Sequence, residues 1–150
     1  MMSNNNFRFA IVVSRWNNFI TEKLLEGALA RLVELNIPEE NVKTFWVPGA
    51  VEIPIVTQRL AQTRKYNAII VFGAVIRGET AHFEYVCQMV TTGCQRVSLD
   101  ENMPVIFGVL TTYTKEQALD RVGGKTGHMG IEAIDTAIET VKCLQNVDAL

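Results

Sequence analysis

Four short apolar runs, each followed by a segment with helical spacing, constrain this chain more than any other feature. Phe9-Ala-Ile-Val-Val-Ser14 is almost wholly apolar, as a strand buried on both faces must be. Leu24, Ala28, Leu32 and Leu35 then recur at intervals of three and four, predicting a helix over 20–36 that Pro38 closes. The alternation repeats with a strand at 42–47 and a helix at 52–63, where Pro54 is tolerable only in the first turn. A third strand is predicted at 67–74, a helix at 82–98 and a fourth strand at 104–110. Thr114-Lys-Glu-Gln117 matches a capping box, opening a helix predicted to end near Gly123-Gly124. A last helix is expected over 131–144, with Ile134, Ala137, Ile138 and Val141 on one side. Strand and helix in strict succession predict an α/β fold of three layers, a four-stranded parallel sheet with helices on both faces.

At 150 residues the chain suits one domain, expected over 9–150 behind a flexible N-terminal arm at 1–8. The formal net charge is −2 and no basic cluster stands out, which argues against nucleic acid as a partner. No secretory leader is recognisable, and no apolar stretch reaches the roughly 18 residues that span a bilayer. A cytoplasmic protein with no membrane partner is therefore expected, with Cys87, Cys94 and Cys143 reduced. Cys87 and Cys94 lie two turns apart on one helix face, a spacing suited to packing. Without a CxxC or paired Cys/His pattern, no metal is expected.

In such sheets ligands bind beyond the carboxyl ends of the strands. Trp16 follows the first strand, where it can either stack on a flat heterocycle or merely cover the sheet edge. Pro48-Gly49 makes a tight turn before a helix, whose free N–H groups await partners. Glu52 can bond those groups itself or accept from ligand hydroxyls. Arg77-Gly78-Glu79-Thr80 resembles a phosphate site in outline, because Gly78 permits close backbone approach and the next helix terminus favours an anion. It is not a P-loop, the Gly and Lys spacing being wrong. Arg121 and Lys125 can add positive charge there or lie on a solvated surface. His82 can move protons in carbonyl chemistry, or can line a helix start. The spacing by itself indicates a phosphate-bearing ligand and an aromatic shelf, but no particular reaction.

Five segments in order resemble the lumazine synthase family: Arg15-Trp16-Asn17, Val47-Pro-Gly-Ala-Val-Glu-Ile-Pro54, Gly73-Ala-Val-Ile-Arg-Gly-Glu-Thr-Ala-His82, Pro104-Val-Ile-Phe-Gly-Val-Leu-Thr111, and 121–132. Each is modest alone, but together they are specific, and the resemblance covers roughly 9–141. It implies a flavodoxin-like fold and an enzyme, a transferase of riboflavin biosynthesis. That enzyme condenses 5-amino-6-(D-ribitylamino)uracil with 3,4-dihydroxy-2-butanone 4-phosphate, releasing phosphate and water. No metal and no organic cofactor is implied.

By the same resemblance, Trp16 stacks on the pyrimidine, while Ala50, Val51, Glu52, Ala74, Val75 and Ile76 hold the ring and ribityl chain. Glu79, Thr80 and Arg121 match phosphate-binding positions, and His82 matches the proton-transfer histidine. Phe107 matches an aromatic supplied by a neighbouring subunit, so the site is expected between subunits of a homo-oligomer. Family members form pentamers, and many pack twelve pentamers into a hollow icosahedral shell. The short 123–130 connection resembles the shell-forming members but leaves pentamer, decamer and shell open. Riboflavin synthase is a candidate partner.

In one place the chain departs from the family, which often has Asn-Lys before the glycine that here is Gly130. This chain has His128-Met129 instead, and Lys125, one helical turn earlier, is a candidate substitute for the missing charge. Two other classes stay open: a flavin-binding module of the same fold, and a shell protein whose catalytic site has decayed.

Overall fold

The computed structural model describes residues 4–150. Four parallel strands, β1 (Phe9–Ser14), β2 (Val42–Val47), β3 (Ala68–Ile76) and β4 (Val105–Thr112), form a sheet in the order β2-β1-β3-β4. The helices are α1 (Asn18–Glu34), α2 (Ile53–Gln62), α3 (His82–Asp100), α4 (Lys115–Leu119) and α5 (Met129–Asp148). This is the expected three-layer, flavodoxin-like α/β/α arrangement.

The period of two along each strand sorts its side chains between the two outer layers. Phe9, Ile11 and Val13 of β1 and Ile70, Phe72 and Ala74 of β3 pack with Leu24, Ala28 and Leu32 of α1 and Ile134, Ala137 and Val141 of α5. Ala10 and Val12, with Ile69, Val71 and Val75, face the other way onto Ile53, Leu60 and Ala61 of α2 and Val90, Cys94 and Val97 of α3. β1 and β3 are buried along almost their whole length because both faces are covered. The edge strands β2 and β4 are only partly so.

Several bounds shift from those the sequence predicts. A 3-10 turn at Ala50–Glu52 precedes α2, and β3 runs two residues past the expected 74, to Ile76. The helix opened by Thr114 is shorter than expected, ending at Leu119. A two-stranded antiparallel hairpin follows it, β5 (Val122–Gly124) with β6 (Gly127–His128). The sequence carries no period for that hairpin, because its strands are too short to show one. The capping box is real but offset: Thr114 Oγ1 accepts from Gln117 N, while Gln117 Oε1 accepts from Tyr113 N at 2.8 Å.

Of the expected arm, residues 1–3 lie outside the described residues. Phe7 is fully buried, its ring 6.2 Å from that of Phe9, and Arg8 N donates to Asn67 Oδ1 at 2.8 Å. No described helix is long and apolar enough to cross a membrane.

Candidate active site

The carboxyl ends of β1, β2 and β3 are stitched together by loop backbone. Arg15 N donates to Val47 O at 2.8 Å and Trp16 N to Pro48 O at 3.0 Å, tying the loop after β1 to the end of β2. Arg77 N donates to Thr112 O at 2.9 Å, tying the loop after β3 to β4. Thr21 Oγ1 donates to Ser14 O at 2.8 Å, seating the first turn of α1 on the end of β1.

These ends enclose a cleft of about 470 Å³. Trp16 stands at its β1 side; Gly49, Ala50, Val51 and Glu52 come from the turn after β2, and Ala74, Val75 and Ile76 from β3. Gly78, Thr80 and His82 come from the loop that opens α3. The structure thus gathers Trp16, Ala50, Val51, Glu52, Ala74, Val75, Ile76, Thr80 and His82 around one space. Glu79 is exposed in the same loop but does not line the cleft.

Three residues that the sequence leaves with two readings are placed as follows. Trp16 is 74% exposed and lines the cleft, where its ring is open to a ligand. Glu52 makes no side-chain hydrogen bond to the start of α2, which leaves its carboxylate available to accept from ligand hydroxyls. His82 is the first residue of α3, so it does line a helix start, and it also lines the cleft; His82 N donates to Thr80 Oγ1 at 3.3 Å.

Arg121 is elsewhere. It lines a second depression of about 440 Å³ at the carboxyl end of β4, with Thr111, Thr112, Tyr113 and Met129. No residue lines both spaces, and the rings of Phe83 and Tyr113 meet between them at 6.1 Å. The Arg77 guanidinium sits 5.8 Å from the Tyr113 ring centre and 3.7 Å from Glu84, bracing that wall. Lys125 is exposed in the turn between β5 and β6 and lines neither space. Phe107 is 38% exposed on β4 and lines a separate cavity of about 220 Å³ with Thr91, Cys94, Gln95 and Val105. One copy of the chain therefore does not bring Phe107, Arg121 or Lys125 to the cleft.

Asn17, Phe83 and Val86 also line the cleft and were not singled out from the sequence as site residues. Phe83 and Val86 carry a signal in retrospect, an i, i+3 apolar pair beginning beside His82 on the helix. Among the described residues, no group of three His, Cys, Asp or Glu side chains converges as a metal site requires. Burial pushes the Cys94 thiol up to about 12, and burial followed by the nearby Glu84 charge raises that of Cys87.

The family model for 6,7-dimethyl-8-ribityllumazine synthase matches residues 6–145. A 6,7-dimethyl-8-ribityllumazine synthase of Coxiella burnetii, strain Dugway, is 52% identical over 147 residues, covering 98% of this chain and 97% of the relative. The protein of the same description from strain RSA 493 is 51% identical over the same 147 residues, with the same coverage. By the family match and by these relatives, the chain belongs to the 6,7-dimethyl-8-ribityllumazine synthase family.

Proposed function

We propose that the protein condenses 5-amino-6-(D-ribitylamino)uracil with 3,4-dihydroxy-2-butanone 4-phosphate to 6,7-dimethyl-8-ribityllumazine, in the cleft bounded by Trp16 and His82. The observation that carries this reading is the layout of that one space. It has an indole at one side, strand backbone and a free carboxylate in the middle, and a glycine loop opening a 19-residue helix at the other.

Each part suits one portion of the substrates. The indole of Trp16 offers a face to the flat pyrimidine. The backbone of Ala74, Val75 and Ile76, with that of Ala50 and Val51, reads the ring's edge, and Glu52 accepts from ribityl hydroxyls. The phosphate rests by Gly78, Glu79 and Thr80, where the N-terminal amides of α3 favour an anion.

In the reaction, the 5-amino nitrogen adds to the ketone carbon and water leaves, giving an imine. Loss of phosphate then yields an enol that becomes a ketone, and the ribitylamino nitrogen closes the ring with loss of a further water. Every step moves a proton on or off nitrogen or oxygen. His82, beside the phosphate loop, is placed to carry these protons without a covalent protein intermediate. Holding both substrates in one cleft supplies much of the remaining acceleration. Neither a metal nor an organic cofactor takes part.

We place Phe107 and Arg121 in the completed site as residues of a neighbouring copy. What supports this is that Arg121 and the phosphate loop line different spaces in one chain, while the half-site needs a cation to ease phosphate departure. Lys125, near Arg121 in sequence, adds charge on the same approaching face. The assembly we propose is a homopentamer, closing into a sixty-subunit shell, acting in the cytoplasm and handing its product to riboflavin synthase. The exposed apolar residues Tyr85, Met89 and Leu99 of α3 fit burial in such an assembly.

The test is direct: purified protein is given both substrates, and product absorbance and fluorescence are followed with phosphate release. Lumazine and phosphate appearing one for one is the expected result. Folded, assembled protein that forms neither sinks the reading, and copurifying flavin would then point to a binding module.

A further inference from the structure

Asn17 occupies the N-cap position of α1, where an asparagine side chain ordinarily accepts a hydrogen bond from the helix's own first amides. Here it makes no such bond. Its backbone is left-handed, with φ 60°, a conformation that few residues other than asparagine, aspartate and glycine adopt readily. Its side chain turns away from the helix, and Nδ2 donates to Ala74 O at 2.8 Å.

The place of that bond matters. The pairing of β1 with β3 stops at Val13 opposite Phe72, while β3 continues to Ile76 against β4 alone. Beyond Phe72 the β1 side of β3 has no strand partner. The Asn17 amide supplies the next link there, at the floor of the cleft. On the other side, Trp16 N is bonded to Pro48 O at the end of β2. Trp16, itself 74% exposed, thus lies between its own tether to Pro48 and that of the adjoining Asn17 to β3.

We propose that Asn17 is the positioning residue for pyrimidine binding: its amide, clamped to the Ala74 carbonyl, sets the distance between the Trp16 indole and the β3 backbone, and so the slot into which the heterocycle slides. The inference rests on the stacking role given to Trp16 above. Asn17 acts through Trp16 and Ala74, and a side chain that breaks its own helix-capping rule to hold them fits that use.

The experiment measures KM for each substrate in the parent and in Asn17→Asp, Asn17→Gly, Trp16→Ala and the double variant Trp16→Ala/Asn17→Asp. Asp and Gly both tolerate the left-handed backbone, but neither can donate to Ala74 O. Each is expected to raise KM for the ribitylaminouracil about tenfold while leaving KM for the butanone phosphate unchanged. The double variant should bind no worse than Trp16→Ala alone, since both changes remove the same slot. In a Trp46→Phe background, which leaves Trp16 as the single indole, Asn17→Asp should also depolarise its fluorescence. Equal rises in both KM values would mean general loosening and overturn the proposal. An unchanged pyrimidine KM in Asn17→Gly, with Trp16→Ala impaired, overturns it while sparing the stacking role. An unchanged KM in Trp16→Ala removes the stacking role and this inference together.

Discussion

The imidazole of His128 lies directly against Gly27, so that a Cβ at 27 would fall 2.6 Å from Nε2 and 2.8 Å from Nδ1. The same ring caps α5, its Nδ1 accepting from Gly130 N at 3.1 Å. Gly130 in turn meets the Leu24 carbonyl with no space for a side chain. The α1–α5 layer therefore closes around one histidine and two glycines.

Gly27→Ala should then destabilise the protein by about 1–3 kcal/mol, the usual cost of forcing atoms into a packed contact. Part of that loss is the displaced cap of α5. Urea unfolding measures it, and a variant within about 0.5 kcal/mol of the parent would show that the histidine moves aside freely.

His128 and Met129 stand where the resemblance leads one to expect Asn-Lys, and the structure places the two side chains differently. The His128 imidazole caps α5, whereas the depression lined by Arg121 and Met129 holds no lysine. Met129→Lys is expected to lower KM for the phosphate substrate about tenfold, as one charge-assisted contact of ~1.4 kcal/mol allows. Lys125→Ala should raise that KM in the parent. If Lys125→Ala leaves it unchanged, Lys125 does not compensate.

Removing the imidazole in His82→Ala should lower kcat by about 10²-fold, the low end of what positioned acid–base groups contribute. Both KM values should move little if His82 acts, as proposed, in proton transfer rather than in grip. Steady-state kinetics decide this, and equal rates in parent and variant would refute the shuttle.

The cysteines should alkylate in the order Cys143, Cys87, Cys94. Cys143 is exposed, Cys87 half-buried with a raised thiol, and Cys94 buried with its thiol pushed up to about 12. The thiolate is the nucleophile, so at pH 8 Cys94 presents almost none. Iodoacetamide labelling read by mass spectrometry checks the order; early modification of Cys94 in folded protein would contradict the packing described.

The two strands β1 and β2 have the bounds their apolar and β-branched runs predict, whereas the order β2-β1-β3-β4 is set by pairings between strands far apart in sequence, which no local run displays. The hairpin at 122–128 was invisible because strands of three and two residues show no period; Gly123 and Gly127, at φ 102° and 92°, were its only trace. The cleft was legible wherever a loop carried unusual chemistry, as at Trp16, Glu52, Thr80 and His82. The Asn17 contact was hidden because it is made to a carbonyl 57 residues away. The separation of Arg121 from Thr80 was hidden for the same reason.

In the proposed assembly, one catalytic centre combines the His82 cleft of one copy with Arg121 of another. Subunits carrying His82→Ala and subunits carrying Arg121→Ala, each nearly inactive alone, can be co-assembled in equal amounts and assayed with both substrates. In a ring, about a quarter of the interfaces would pair an intact cleft with an intact arginine, and activity should return to about that fraction of the parent's. Mixed assemblies no more active than the average of the two single variants would place both residues in one copy's site and contradict the account.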